Sequence, residues 1–218
     1  MDSCVTTAIA QQTHEVALLH AGYGQRTERR ERQAFEQIAD FYGVKERLLV
    51  RLDHLARIGG SALTDPNIPV PMGVKARTPA QHDVPATYVP FRNTHLMATA
   101  VSCAEVIEAR AVFIGAVSED SSGYPDCRME YFRALRELVR VGTKPSSQIE
   151  VITPVIGLPK SEIVRRGIEL GAPLHLTWSC YQNEEQACGA CDSCLLRLRA
   201  FAGAHAADPI PYRPAVGR

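Results

Sequence analysis

Short apolar runs alternate with amphipathic segments along most of this sequence, and this alternation limits the possible folds more than any other feature. The apolar runs predict strands at 16–20, 47–52, 111–117 and 149–153. Apolar residues at helical spacing predict helices at 28–42, 54–58, 93–110, 128–141 and 161–170, with Asn93 and Asp126 capping two of them. Nearly continuous apolar strands separated by helices predict an α/β fold, in which helices cover both faces of a parallel sheet.

The size and charge of the chain narrow its class further. With 218 residues, 45% of them hydrophobic, it can bury a core in one domain with a small appended lobe. Lysine and arginine total 24, as do aspartate and glutamate, so we expect no stable nucleic-acid partner. The sequence contains neither a bilayer-length apolar run nor the pattern of a signal peptide. These features predict a cytoplasmic protein with no membrane partner.

Four of the seven cysteines, Cys180, Cys188, Cys191 and Cys194, lie in one short stretch. In a reducing compartment such clusters are more often metal ligands or catalytic groups than disulfides. Two overlapping C-x-x-C steps let the thiolates converge, and four thiolates suit a closed tetrahedral zinc site with a structural role. A redox dithiol would need a division into attacking and resolving pairs, which is not evident here. An iron–sulfur cluster remains compatible with the spacing, although we favour zinc.

The loops that follow the predicted strands hold the candidate ligand-binding residues. Ligands of parallel α/β sheets bind at the carboxyl ends of the strands. The segments concerned are 22–26 (GYGQR), 88–93 (YVPFRN), 118–128 (SEDSSGYPDCR) and Lys160 at the start of a helix. Each alone is also compatible with an ordinary cap, turn or solvated side chain. Together they predict a pocket for a polar, planar, nucleotide-like substrate.

Six segments, in order along the chain, carry a resemblance to a known family. They are GYGQR (22–26), IGGSALTD (58–65), VPFRN (89–93), SEDSSGYPDCR (118–128), TPVIGLPKSEIV (153–164) and TWSCYQNEEQACGACDSCLLR (177–197). The chain resembles the 7-cyano-7-deazaguanine synthases of queuosine biosynthesis, which belong to the PP-loop ATP pyrophosphatase superfamily. The resemblance implies an adenine nucleotide alpha hydrolase-like, Rossmann-like domain at 1–175 and a zinc-binding lobe with a C-terminal helix at 176–218.

The resemblance also implies a reaction. The enzyme would convert 7-carboxy-7-deazaguanine, ATP and ammonia to 7-cyano-7-deazaguanine in queuosine precursor biosynthesis, as an ATP-dependent carbon–nitrogen ligase. Because a carboxylate is a poor electrophile, ATP would first turn its oxygen into a leaving group, and a second activation would dehydrate the amide. The implied cofactors are ATP with Mg²⁺ and one structural Zn²⁺ per chain, and the implied assembly is a homodimer. Whether AMP or ADP is released stays open.

Residue roles follow from the matching motifs. The implied catalytic residues are Lys160, Asp126 and Cys127; the nucleotide-binding residues are Asp2, Ser3, Gly24, Gln25 and Arg26; the substrate-binding residues are Arg92, Asn93, Asp120, Ser121, Ser122 and Tyr124; and the metal ligands are Cys180, Cys188, Cys191 and Cys194. Lys160 would neutralise negative charge that develops on the phosphates. Phe91 stands where the family more commonly has glycine, which leaves the backbone before Arg92 unpredicted.

The first residues resemble the end of the family's phosphate loop. That loop reads Ser-Gly-Gly-x-Asp-Ser after an apolar strand, and the chain begins Met1-Asp2-Ser3. We therefore expect the native start to lie upstream, so that a first, central strand and the phosphate-loop glycines are missing from 1–218. Backbone N–H groups at the start of the following helix would still favour phosphate.

Two other functions compete with this interpretation. Another adenylating PP-loop ligase, such as a tRNA-thiolating enzyme, would share the ATP chemistry. A zinc-ribbon module that binds RNA would share the cysteine cluster. The second is disfavoured because the cysteine stretch is short, the chain is neutral overall, and most of the sequence predicts an α/β domain.

Overall fold

The computed structural model describes residues 1–73, 84–118 and 123–214. Its α-helices are α1 (Asp2–Ala10), α2 (Glu28–Phe41), α3 (His54–Ile58), α4 (Arg92–Val106), α5 (Met129–Gly142), α6 (Lys160–Glu169) and α7 (Asp192–Gly203). Its strands are β1 (Leu18–Gly22), β2 (Arg47–Arg51), β3 (Ala111–Phe113) and β4 (Glu150–Ile152), and short 3-10 turns span Pro125–Cys127 and Leu174–Leu176. The predicted α/β class is confirmed.

The strands form two parallel pairs rather than one sheet. Within the described residues, β1 pairs with β2, with Leu18 opposite Arg47, and β3 pairs with β4, with Ala111 opposite Glu150. A cavity of about 1070 Å³ lies between the pairs, and residues of both β1 and β3 line it. The expected strand upstream of Met1 lies outside the chain and stays a prediction.

Two apolar cores hold the helices against the strands. In the first, Met97 of α4 and Phe132 of α5 pack against Val151 of β4. In the second, α1, α6 and α7 meet around Val5, which is fully buried. Each such side chain stabilises the fold by roughly 1.5–3 kcal/mol relative to an exposed position. These cores position the starts of α1, α4 and α6 at the same end of the strands as the predicted ligand loops.

Glycine permits the closest approach between two of these helices. A Cβ atom at Gly167 of α6 would lie 2.8 Å from a methyl carbon of Val5 on α1. This is shorter than two carbon atoms tolerate without displacement. The close contact of α6 with α1 therefore depends on glycine at this position.

The predicted lobe at 176–218 packs on the α/β part of the chain. Its apolar residues Trp178 and Ile210 share one core with Ala34 of α2 and with Val70. At its base, Arg197 of α7 forms a buried, bidentate ion pair with Asp208. The C-terminal segment is therefore tied to the helix that follows the cysteines.

Several predicted boundaries and both predicted caps differ from the structure, since Asn93 lies inside α4 rather than at its N-cap. Helix α4 begins at Arg92, one residue before its predicted cap, and ends at Val106. Phe91, at its N-cap, has φ 59°, a left-handed conformation that favours glycine. Asp126 does not cap α5: the 3-10 turn directs its carboxylate back to α4, where it accepts a hydrogen bond from the backbone N–H of Asn93.

The predicted strand at 111–117 is also shorter than expected. Regular pairing ends at Phe113, although the N–H of Ile114 still donates to the carbonyl of Ile152. Beyond it the chain passes close to the start of α1 at Gly115. None of the helices in 1–73, 84–118 and 123–214 is long and apolar enough to cross a lipid bilayer.

Candidate functional site: a four-cysteine centre and a strand-end cavity

The four predicted metal-ligand cysteines come together in the structure. The sulfur atoms of Cys180, Cys188, Cys191 and Cys194 all lie within 4.8 Å of one another. The Cys188 and Cys194 sulfurs are 3.8 Å apart. Tetrahedral zinc with Zn–S bonds of about 2.3 Å requires a sulfur–sulfur edge of about 3.8 Å. The donor set and its spacing therefore fit a tetrahedral four-thiolate metal ion.

Backbone N–H groups surround the cluster and favour the thiolate form. Those of Gln182, Asn183 and Cys188 donate to the sulfur of Cys180 at 3.3–3.4 Å. The N–H of Cys191 donates to the sulfur of Cys188 at 3.2 Å. A site closed by four such ligands leaves no position for substrate, so its role is structural.

Two isolated bridges fasten this centre to distant segments. Met72 pairs with Cys191 in antiparallel fashion, and Ala187 pairs with Tyr212 in parallel fashion. The hydroxyl of Tyr212 donates to Asp208 at 2.6 Å. The centre therefore connects the segment near residue 72, α7 and the C-terminal segment.

Lys160 and Asp2 meet where two helices begin. Lys160 is the first residue of α6, and its Nζ donates to Oδ2 of Asp2, the first residue of α1, at 2.9 Å. Burial alone would raise the pKa of Asp2, but the charges of Lys160 and the N-terminal ammonium together with the hydrogen bond from Lys160 hold that pKa below its usual value. Both helix N-termini favour anions there. Oδ1 of Asp2 is buried without a hydrogen-bond partner among the described residues and could ligate Mg²⁺.

Gly115 keeps this corner open, and sequence reasoning missed it. A Cβ atom at Gly115 would lie 2.7 Å from the backbone nitrogen of Ser3. No side chain can occupy that position without moving the start of α1, since the contact is with backbone. The only signal in the sequence was the glycine near the end of an apolar strand, which indicates close backbone approach.

Asn93, Asp126 and Cys127 form one hydrogen-bonded unit. The backbone N–H of Asn93 donates to Oδ2 of Asp126, and its amide donates to the carbonyl oxygen of Asp126, both at 2.9 Å. The same amide donates to the sulfur of Cys127 at 3.3 Å. Burial and the charge of Asp126 raise the pKa of the Cys127 thiol to about 11. The thiol is therefore neutral near pH 7 and is a poor nucleophile.

Arg92 lies among three tyrosines. Its Nη1 donates to the hydroxyl of Tyr23 at 3.0 Å. Burial on its own would lower the pKa of Arg92, but the surrounding tyrosines, Tyr23 foremost, raise it above its usual value. The hydroxyl of Tyr124 is held by Thr87 at 2.9 Å. Tyr23 and Tyr181 escaped sequence reasoning, although both lie inside segments that it quoted.

The remaining predicted nucleotide-binding residues have structural contacts. Gln25 accepts a hydrogen bond from the backbone N–H of Tyr23 and donates to Glu31. Arg26 donates to the carbonyl oxygens of Ala62, Asp65 and Ile68 at 2.8–2.9 Å. Gly24 has φ 80° and donates to Glu28, but it lines neither cavity. These contacts order the loop that follows β1.

A smaller cavity of about 210 Å³ gathers most of these groups. Its lining includes Asp2, Ser3, Gln25, Arg26, Arg92 and Tyr181. Lys160, Asn93, Tyr124 and Cys127 line the larger cavity. Asp120, Ser121 and Ser122 lie outside the described residues. The predicted residues that the structure describes therefore converge on the end of the strands, with Gly24 and the buried Asp126 set back from the cavity walls.

Fold and site together define a class: a parallel α/β protein with a cavity lined by Lys160 and Arg92 and with a four-cysteine cluster that could hold a metal ion. A family model described as "Queuosine biosynthesis protein QueC" matches residues 1–205. The chain belongs to this family, as the sequence motifs predicted.

Curated relatives agree with this assignment. The chain is 55% identical over 213 residues to a protein of Chlorobium chlorochromatii, and the aligned region covers 97% of the chain and 92% of that protein. It is 56% identical over 217 residues to a protein of Koribacter versatilis, and the aligned region covers 98% of the chain and 90% of that protein. It is 54% identical over 214 residues to a protein of Chloroherpeton thalassium, and the aligned region covers 98% of the chain and 93% of that protein. Each of these relatives is named 7-cyano-7-deazaguanine synthase.

Proposed function

We propose that this chain is an ATP-dependent carbon–nitrogen ligase that converts 7-carboxy-7-deazaguanine and ammonia to 7-cyano-7-deazaguanine. The observation that carries the proposal is the larger cavity, which Lys160 and Arg92 both line, in a chain more than half identical to synthases of that name. Lys160 suits a phosphate of ATP, and Arg92 suits a second anion such as the substrate carboxylate. Activation of the carboxylate requires these two anions to react with each other.

The chemistry needs two activations. In the first, the substrate carboxylate attacks phosphorus of ATP, and ammonia then displaces the activated oxygen to give the amide. In the second, the amide oxygen is activated in the same way and leaves with formation of the nitrile. Negative charge develops on the phosphate leaving group in both steps. Lys160 neutralises that charge from the start of α6, where the helix N-terminus adds to its effect.

The nucleotide and its Mg²⁺ are assigned to the corner where α1 begins. Asp2 supplies a carboxylate oxygen for the metal ion, and Ser3, Gln25 and Arg26 border the phosphates. Gly24 contributes by shaping the loop after β1. Mg²⁺ would draw charge from the phosphates when bound.

The deazapurine is assigned to the wall formed by α4 and the loop before α5. Asn93 and Tyr124 border the ring, and the family motif assigns further substrate contacts to Asp120, Ser121 and Ser122, which lie outside the described residues. Asp126 acts as a positioning residue, because both its Oδ2 and its carbonyl oxygen hold Asn93. Cys127 serves as a neutral wall of the pocket.

The four cysteines hold one structural Zn²⁺ per chain in this proposal. Four converging cysteine sulfurs suit zinc, and in a reducing compartment clustered thiols are more often metal ligands than disulfides. We also propose that the active assembly is a homodimer, as the family resemblance implies. Metal analysis and light scattering of the purified protein test these two assignments separately.

The test is an assay of nitrile formation. The chain, expressed together with the upstream segment that the phosphate-loop motif predicts, is incubated with 7-carboxy-7-deazaguanine, ATP, Mg²⁺ and ammonium, and the products are separated and identified by mass spectrometry. We expect the nitrile, with the amide as an intermediate, and neither product when ATP or ammonium is omitted. Absence of both products, together with thiolation of tRNA in a parallel reaction supplied with tRNA, ATP and sulfide, would assign the chain to a different ligase reaction.

A further inference from the structure

Arg92 borders both cavities, yet no carboxylate pairs with it in the part of the chain that the structure describes. Its hydrogen bond to a described side chain runs from Nη1 to the hydroxyl of Tyr23 at 3.0 Å. A guanidinium carries five N–H donors, so several remain available to a ligand. A half-buried cation of this kind gains most when a bound anion supplies the missing charge.

Two further arginines on the cavity walls also have no carboxylate partner among the described residues, but Arg26 donates to three backbone carbonyl oxygens and Arg110 is exposed. Three other basic residues on these walls differ from Arg92. Each pairs with a carboxylate: Arg47 with Asp40 at 2.8 Å, Lys160 with Asp2 at 2.9 Å, and Arg197 with Asp208 at 2.8 Å. The charge of Arg92 is instead surrounded by phenol groups. Its guanidinium carbon lies 5.6 Å from the ring centre of Tyr23 and 5.9 Å from that of Tyr124.

We propose that Arg92, set among Tyr23, Tyr124 and Tyr181, binds the carboxylate of the acid substrate and thereby selects the acid over uncharged analogues of the same ring. This inference rests on the proposed function. The fork of a guanidinium matches the two oxygens of a carboxylate. The flat tyrosine rings beside it match a planar aromatic acid.

The surroundings favour a carboxylate over a phosphate at Arg92. Lys160 and the starts of α1 and α6 already provide a site for phosphate. Arg92 and Lys160 both line the larger cavity, so the two cations face a common space. A carboxylate held by Arg92 would therefore lie near a phosphate held by Lys160, as the first activation step requires.

A binding experiment without turnover tests the proposal. Trp178 is the single tryptophan and lines the smaller cavity together with Arg92, so its fluorescence reports ligand binding. The holoprotein is titrated with 7-carboxy-7-deazaguanine, with 7-deazaguanine, which lacks the carboxylate, and with ATP. We expect Arg92→Gln to weaken binding of the acid by about 10- to 100-fold, as loss of charged hydrogen bonds does. Binding of 7-deazaguanine and ATP should change by less than about threefold.

Two further variants make the result specific. Arg92→Lys keeps the charge but not the fork, and should restore only part of the affinity for the acid. Arg47→Gln removes a cavity arginine that is already paired with Asp40, and should leave acid binding unchanged. Comparable loss of acid binding in Arg47→Gln would overturn the proposal.

Three other outcomes of the titrations and of the nitrile assay would also test the role of Arg92. Weaker binding of ATP with unchanged binding of the acid would make Arg92 a phosphate contact, and equal loss for all three ligands would make its role structural; either result overturns the inference. Nitrile formation by the wild-type chain, with full acid affinity in Arg92→Gln, rejects this inference alone. Failure of the wild-type chain to form the nitrile rejects the proposed function as well.

Discussion

The cysteine centre and the strand-end cavity are assembled in opposite ways. The four cysteine ligands lie between residues 180 and 194, so a single turn and the start of α7 bring them together. The cavity joins Asp2, Arg92 and Lys160, which no local segment connects. A local cluster can be read from spacing alone, whereas a distributed site needs the fold before its members can be grouped.

The two regions also differ in how completely their polar groups are paired. Backbone N–H groups surround the sulfur of Cys180, and the nearby Arg197 is paired bidentately with Asp208. In the cavity, Oδ1 of Asp2 is buried without a hydrogen-bond partner among the described residues, and so is Oδ1 of Asp126, which is set back from the cavity wall. Full pairing is typical of a structural element, and unpaired groups are typical of a site that completes its contacts with ligands.

The largest expected effect separates stability from chemistry at the cysteine centre. Cys188→Ser removes one metal ligand, and we expect the purified chain to lose its bound metal and at least about 5 kcal/mol of folding free energy, because a structural zinc ion contributes its binding energy to folding. Metal content and urea denaturation measure both losses. Cys103→Ser is the matched control, since Cys103 is also half-buried but lies on α4. Retention of a full metal equivalent in Cys188→Ser would contradict the ligand assignment.

The second largest effect is expected at Lys160, where a substitution should lower the rate of nitrile formation without removing the metal ion. Lys160→Gln should lower kcat for nitrile formation by about 100- to 1000-fold, because the charge that stabilises the phosphate leaving group is lost. Metal content should stay complete. Lys144→Gln, which changes an exposed lysine, is the control. If Lys160→Gln lost its metal but kept its turnover, the division between the two regions would be wrong.

A third experiment asks how far the rigid region extends beyond the cysteines. Asp208→Asn leaves Arg197 buried without a full countercharge, and the folding free energy should fall by about 3 kcal/mol in urea denaturation. Glu137→Gln breaks an exposed pair with Arg140 and should cost less than about 0.5 kcal/mol. Equal effects of the two changes would show that the buried pair does not stabilise the lobe.

Cys127 offers a pH test within the cavity. Because its pKa is raised to about 11, the thiol is protonated at pH 8 and only roughly one molecule in a thousand carries the thiolate. Its alkylation rate by iodoacetamide should therefore still rise between pH 9 and 10, where that of a free cysteine derivative levels off. Cys127→Ser should keep turnover within about threefold. A rate plateau below pH 8 would restore Cys127 as a candidate nucleophile.

The smallest effect concerns the backbone before Arg92. Phe91 has φ 59° and is 55% exposed, so glycine would relieve strain while losing little buried area. We expect Phe91→Gly to stabilise the protein, raising its free energy of unfolding by about 0.5 kcal/mol once the entropy cost of glycine is subtracted. Phe91→Ala should show no gain, because alanine meets the same strain. A destabilised Phe91→Gly would mean that the phenyl ring contributes contacts that outweigh the strain.

The sequence predicted the order of strands and helices because their apolar residues recur at regular spacing. It mispredicted the role of Asp126, since a carboxylate before a helix resembles a cap whichever helix it contacts. It also missed Tyr23 and Tyr181, which approach Arg92 only after the chain has folded. The split into two strand pairs was not predictable from periodicity either, because periodicity identifies strands but not their partners.

The most direct test of the proposed reaction is to trace nitrogen from ammonium into the nitrile. The metal-loaded chain is given 7-carboxy-7-deazaguanine, ATP, Mg²⁺ and ammonium enriched in nitrogen-15, and the products are examined by mass spectrometry. We predict a nitrile that carries the label, formed only with ATP and strongly reduced in Lys160→Gln. An unchanged acid, with ATP consumed or not, would contradict the assignment of this cavity to carboxylate activation.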